Sequence, residues 1–198
     1  MKQNPTRRDL QAIETRQRIF DTAFQMISEF GFDNVTVEGI CKQSGVAKGL
    51  FYHYFDSKAD IIIETYRDVD DRFSGEIDQL PLNTKPIDRI LLAVNFQARY
   101  AEEKGLPFTT QIYKHQIDTG ASFFSSEKRA FYQLIRRAVV DGQENGDLRS
   151  DHDPDEITRL VLCTSRGITY DWCLRKGEYD LGKIMERYFR IFTAGFQA

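Results

Sequence analysis

The stretch Gly31-Phe-Asp-Asn-Val-Thr-Val-Glu-Gly-Ile-Cys-Lys-Gln-Ser-Gly-Val-Ala-Lys-Gly-Leu-Phe-Tyr-His-Tyr-Phe-Asp-Ser-Lys58 decides how this chain is read. Thr36 is a good N-cap, and a helix opened by it buries Val37, Ile40 and Cys41. That helix stops at Ser44-Gly45, where Gly45 can take the positive φ of a tight turn. A second short helix follows over Ala47–Phe55. Two helices joined by a Ser-Gly-Val turn have the spacing of a helix-turn-helix. Ile40, Val46 and Phe51 supply the apolar contacts that lock the angle between them.

On a helical wheel, Lys48, Gly49, Tyr52 and His53 share one side of the second helix, opposite Val46, Phe51 and Phe55. Gly49 lets the backbone approach a phosphate closely. Tyr52 and His53 can donate to phosphate oxygens, and Lys48 can reach phosphate or the acceptor edge of guanine. Lys58 adds a cation at the start of the next helix, where free amides already attract anions.

Upstream, Phe20, Ala23, Phe24 and Ile27 recur at helical steps, predicting a helix from about Leu10 to Phe30 closed by Gly31 as a left-handed cap. Ser57-Lys-Ala-Asp60 has the capping-box pattern and opens a long helix from Lys58 toward Leu80. After Pro81–Pro86, further helices are expected at about Pro86–Lys104, Pro107–Ile117 and Glu127–Glu144. Asp153-Pro-Asp-Glu156 starts a helix running to about Lys176, and Asp180 caps a last one over Asp180–Phe196. The expected fold is all-α with about nine helices: a three-helix helix-turn-helix domain at 1–60 and a helical effector and dimerisation domain at 61–198.

Composition narrows the class without deciding it. Residues 1–60 carry eight bases and eight acids, and the whole chain is at −3, so bulk basicity says nothing about nucleic acid. Apolar residues make up 41% with no run long enough to span a bilayer, which predicts no membrane partner. Cys41, Cys163 and Cys173 are odd in number and lack CxxC spacing, as reduced thiols of a cytoplasmic protein would be. His115 and His152 have no ligand-spaced Cys or Glu beside them, so no metal and no cofactor is expected. Nucleophile elbow, P-loop and dinucleotide fingerprint are all missing, which argues against an enzyme.

The Gly-Val-x-Lys-Gly-x-x-Tyr-x-Tyr-Phe-x-Ser-Lys core of the quoted stretch resembles the DNA-binding domain of the tetracycline-repressor (TetR) family. The likeness is close over residues ~10–65; beyond them only helix number and order agree, with the Arg166–Trp172 segment. The resemblance implies contacts to double-stranded operator DNA from Thr36, Lys48, Gly49, Tyr52, His53, Tyr54 and Lys58. It implies a homodimer built from the last two helices and an effector pocket inside the C-terminal domain. Members are mostly repressors that release DNA when a small molecule binds. Three residues depart from the family pattern. Gly39 is a helix Gly costing ~1 kcal/mol against Ala, Ala47 stands for the usual Ser cap, and Leu50 is placed to pack on a thymine methyl.

Aromatic residues are dense from Phe96 to Trp172, including Phe123 and Phe124. Most must be ordinary core, and some can line an apolar cavity. The candidate ligand residues are Phe96, Tyr100, Tyr113, Phe131, Cys163, Arg166 and Tyr170, enclosing a small, mainly apolar effector. Arg166 reads either as a partner for an acidic effector or as an interface salt bridge.

Overall fold

The computed structural model describes residues 6–77, 80–81, 83–119 and 126–197, so Phe123 and Phe124 lie outside the described residues. Among these it contains nine helices and no strand, with one isolated bridge pairing Leu148 and Gln197. The chain divides into two compact units, Met1–Thr65 and Tyr66–Ala198. The division falls inside a helix, a little more than one turn beyond the expected boundary at residues 60/61.

In the first unit, α1 (Arg7–Phe30) packs against α2 (Val37–Ser44), and α2 against α3 (Lys48–Tyr54). α1 starts three residues before the expected Leu10 because Thr6 and Asp9 form a reciprocal capping box. Gly31 ends it at φ 81°, ψ 155°, a positive-φ extended conformation rather than the expected left-handed helical cap. Gly45 does take the left-handed conformation, φ 69° and ψ 34°, with its N–H donating to the Cys41 carbonyl. Ile19, Ile27, Ile40 and Phe51 are fully buried and form the seam of this unit.

The helix α4 (Asp60–Ile77) begins two residues later than predicted. Asp60 accepts from the Asp56 amide at 2.7 Å and from Ser57 Oγ, so Lys58 and Ala59 stay in the turn that this carboxylate closes. In the second unit, α5 (Pro86–Lys104) occupies its predicted span and packs against α6 (Leu106–Thr119), α7 (Ala130–Glu144), α8 (Pro154–Leu174) and α9 (Leu181–Thr193). Its buried residues, among them Ile90, Val94, Phe96 and Ala98, surround the helix because neighbours cover several of its faces.

α7 starts at Ala130 rather than Glu127, since Glu127–Arg129 form a turn. α6 overruns its predicted span at both ends, and α8 and α9 stop short of theirs. Asp153 caps α8 as expected, accepting from the amides of Asp155 and Glu156. Asp180 caps α9 through the Lys183 amide, and Glu102 of α5 accepts from the Leu181 amide at 2.7 Å, fixing where α9 begins.

Candidate nucleic-acid interface

The geometry of α2 and α3 follows from which residues are buried. Thr36 caps α2 by accepting from the Gly39 amide at 3.1 Å. Gly39 therefore sits in the first turn rather than the helix interior, where the cost assumed for Gly would apply. A Cβ there would lie 3.3 Å from Met26 Cε and from Thr36 Oγ1, so close packing against α1 favours its absence. Ala47 occupies the N-cap of α3 with no side-chain bond to the free amides. Phe51 and Phe55, 5.6 Å apart between ring centroids, anchor the inner face of α3.

With that face buried, Lys48, Gly49, Leu50, Tyr52 and His53 are all exposed along α3, and Tyr54 is half-buried. Thr36 is exposed as well. A side chain at Gly49 would meet nothing within 4 Å, so the surface there is open for a close approach. His53 and Tyr54 stack edge-on at 4.9 Å, and Tyr52 packs edge-on against Phe51 at 5.5 Å. These contacts orient both rings before any ligand arrives, lowering the entropy lost on binding.

Lys58 is the exception in this set. Its Nζ donates to the carbonyls of Phe32 at 2.5 Å and Val35 at 2.8 Å and lies 4.0 Å from the centroid of the Phe32 ring. Burial lowers the lysine pKa, opposed by the nearby Asp33 charge. Two of its three donors thus tie the start of α4 to the α1–α2 loop, which leaves one for an external anion.

Sequence reasoning missed Arg16 of α1. It pairs with Glu64 at 2.5 Å and lies 5.1 Å over the Phe55 ring, bracing the inner side of α3. A half-buried Arg on the apolar side of α1, one turn before Phe20, is the signal that could have found it.

The candidate ligand residues separate into two groups. Phe96 and Phe131 both pack against Phe73, with centroids 5.2 and 4.9 Å away, and Phe96 continues to Tyr100 at 6.4 Å. The Tyr100 hydroxyl donates to Asp68 at 2.8 Å. Phe96 and Phe131 thus pack around Phe73, a hub the sequence reading did not name, and Tyr100 is reached through Phe96. Tyr113 and Tyr170 form the second group at 6.0 Å, with the Tyr113 hydroxyl donating to the Arg166 carbonyl at 3.1 Å. Burial raises the Tyr113 pKa. Cys163 belongs to neither group and is exposed on α8.

A helix-turn-helix with its second helix outward, carried by an all-helical chain, defines a DNA-binding transcription regulator. Residues 19–65 match the family model described as bacterial regulatory proteins, tetR family, so the chain carries a TetR-type DNA-binding domain and is a transcriptional regulator. It is similar to the fatty acid metabolism regulator protein of Bacillus subtilis strain 168, 22% identical over 182 residues, covering 90% of this chain and 93% of that protein. It is likewise similar to the transcriptional repressor KstR2 of Rhodococcus jostii, 24% identical, covering 91% of this chain and 90% of the other. Among solved structures, the fatty acid degradation regulator FadR of Bacillus halodurans shares the fold at a TM-score of 0.68 and 21% identity, covering 96% of both chains. FadR of Bacillus subtilis in complex with stearoyl-CoA does so at 0.67 and 18%, covering 88% of this chain and 96% of that one.

Proposed function

We propose that the chain is a repressor that binds a pseudo-palindromic operator as a homodimer and leaves it when a small, mainly apolar effector binds. The observation that carries this is the outer face of α3, where Lys48, Gly49, Tyr52 and His53 stand exposed over a buried Phe51. Residues 1–60 supply the DNA-binding domain and 61–198 the effector and dimer domain. Thr36, Tyr54 and the remaining donor of Lys58 add phosphate contacts, which position the protein, while Lys48 and Leu50 face base edges. The setting is the cytoplasm, as for any protein that works on chromosomal DNA in a bacterium.

The dimer reading rests on exposed apolar residues of the last two helices. On α8, Leu160, Cys163, Gly167, Tyr170 and Leu174 are exposed at alternating steps of three and four, one continuous stripe. On α9, Tyr188 and Ile191 are exposed, the latter at 69%. Large apolar stripes facing water mark an interface, and pairing the two helices with their copies makes a four-helix seam. A two-fold dimer then presents its recognition helices roughly 34–36 Å apart, one turn of the double helix.

The effector reading is supported by the relatives that regulate fatty acid metabolism, one of them solved with stearoyl-CoA. The ligand acts by preferring the conformation that does not fit the operator, since equal affinity for both would shift nothing. Selection from random duplex DNA, followed by a mobility shift, tests the core of the proposal. It should return a two-fold-symmetric sequence, and Lys48→Ala should weaken binding to it. No enriched sequence would end the proposal.

A further inference from the structure

The second unit contains a cavity of about 180 Å3 that none of the predicted ligand residues lines. Its apolar walls are Phe73 of α4, Leu80 and Pro81 beyond it, Ala93 of α5, and Leu134 and Ile135 of α7. Phe96 and Phe131 stand behind Phe73 and back the wall rather than forming it. Two guanidinium groups, Arg89 and Arg137, complete the lining.

The two arginines are not equivalent. Arg89 is held in place: its Nε donates to the Thr84 carbonyl at 3.1 Å and its Nη1 to Asp141 at 2.6 Å. Neither bond uses Nη2, and Asp141 balances the Arg89 charge. Arg137 is exposed and, among the described residues, makes no ion pair or hydrogen bond. The cavity therefore carries one uncompensated positive charge beside a fixed donor edge, over a floor of apolar side chains. That is a site for one anionic oxygen pair attached to an apolar body. Size sets the body: a dry apolar cavity of about 150 Å3 takes up benzene, so this one holds roughly six to eight carbons.

We propose that the cavity binds a small monocarboxylic acid with an aromatic or short aliphatic body, its carboxylate shared between Arg137 and the Nη2 edge of Arg89. The site rests on the reading of this unit as the effector domain and names the chemical class of effector. Its cation is Arg137 in place of the expected Arg166, and none of the seven candidate ligand residues lines it.

The test is a calorimetric titration of the purified full chain with phenylacetate and hexanoate, their neutral amides, and hexanoyl-CoA, without DNA present. The acids should bind one per chain, about tenfold tighter than the amides, as expected of a charge-assisted pair. Arg137→Gln, an exposed change that leaves the fold intact, should abolish that preference. Leu134→Trp, which fills the cavity from a half-buried wall, should remove binding of acids and amides alike, with an unchanged circular dichroism spectrum. Amides binding as well as acids, or Arg137→Gln behaving as wild type, would overturn the site. So would binding of hexanoyl-CoA with none of the free acids, which would assign the anion subsite to phosphate. Operator binding by the ligand-free protein is measured separately, so failure of the cavity proposal and failure of the repressor reading give different results.

Discussion

Lys58 of the α3–α4 turn donates from Nζ to the backbone carbonyl of Val35 at 2.8 Å, spending on the protein a cation that its motif position offers to DNA. With the second bond, to Phe32, this residue closes the base of the helix-turn-helix. Hydrogen bonds to a charged group contribute about 1.5–3 kcal/mol, so Lys58→Met should destabilise the DNA-binding unit by that order in denaturant unfolding. The remaining donor is the proposed phosphate contact, so the slope of the salt dependence of operator binding should also fall, by about 1. A variant as stable as wild type with a reduced slope would return Lys58 to the DNA face alone.

The two faces of α3 should separate cleanly by mutation. Lys48→Ala removes an exposed cation and should leave Tm unchanged while weakening operator binding, most strongly at low salt. Phe51→Ala empties the fully buried anchor and should cost about 3–5 kcal/mol, unfolding much of the unit. Equal loss of stability in both variants, read by thermal denaturation, would mean the helix is oriented differently.

Asp70 and Arg129 form a nearly buried pair in the second unit, with Nη2–Oδ1 at 2.5 Å and Nε–Oδ2 at 3.1 Å. Their side chains are only 11% and 10% exposed. Removing the carboxylate charge breaks a bidentate pair held away from water, so Asp70→Asn should destabilise by about 3–5 kcal/mol. Replacing both, as Asp70→Leu with Arg129→Met, should recover most of that loss. A double variant no better than the single one would show that the pair is needed for more than charge balance.

Gly167 offers a direct probe of the proposed dimer seam. A Cβ there meets nothing within 4 Å inside the subunit and the position is exposed, so Gly167→Leu should fit within the subunit and firm α8 as a helix. Any effect on assembly then comes from the partner copy. Sedimentation should show a dimer for wild type at micromolar concentration and a shift toward monomer for the variant. A wild-type monomer would remove the α8–α9 seam.

Acid should expose the tie between α7 and α8. Asp155 accepts from Arg136 Nε at 2.7 Å and from the Tyr132 hydroxyl at 2.9 Å, and these bonds hold its carboxyl below the ordinary 3.8. A depressed folded pKa means that its stabilising contribution is complete above 3.8 and disappears as pH falls through the lower folded value. The advantage of wild type over Asp155→Asn should therefore hold at pH 7 and vanish at strongly acidic pH. A constant difference across that range would assign the effect to packing.

Local chemistry made much of this protein legible from its sequence. Caps and turns are written in adjacent residues, so Thr36, Gly45, Pro86 and Asp153 marked their helix ends correctly. The inward Phe51 and Phe55 and the outward Lys48 and Tyr52 follow from a single period. What the sequence could not disclose depends on residues far apart in the chain meeting. The seven candidate ligand residues could be named as aromatic, thiol or cationic, yet whether each lines a cavity or fills one depends on its neighbours. Phe96 and Phe131 converge on Phe73 and are consumed by it. Gly142 lies within α7. In the fold, a Cβ there would lie 2.7 Å from the Leu148 side chain and 3.1 Å from Pro86, so its bareness is what lets α5 approach α7. Lys58 shows the same division: sequence placed a cation at the head of α4, and only the loop carbonyls brought to it by folding decided where two of its three protons go. Helix ends follow from a few residues of local hydrogen bonding, whereas cavities, ion pairs and shared cations follow from packing distances that no single segment contains.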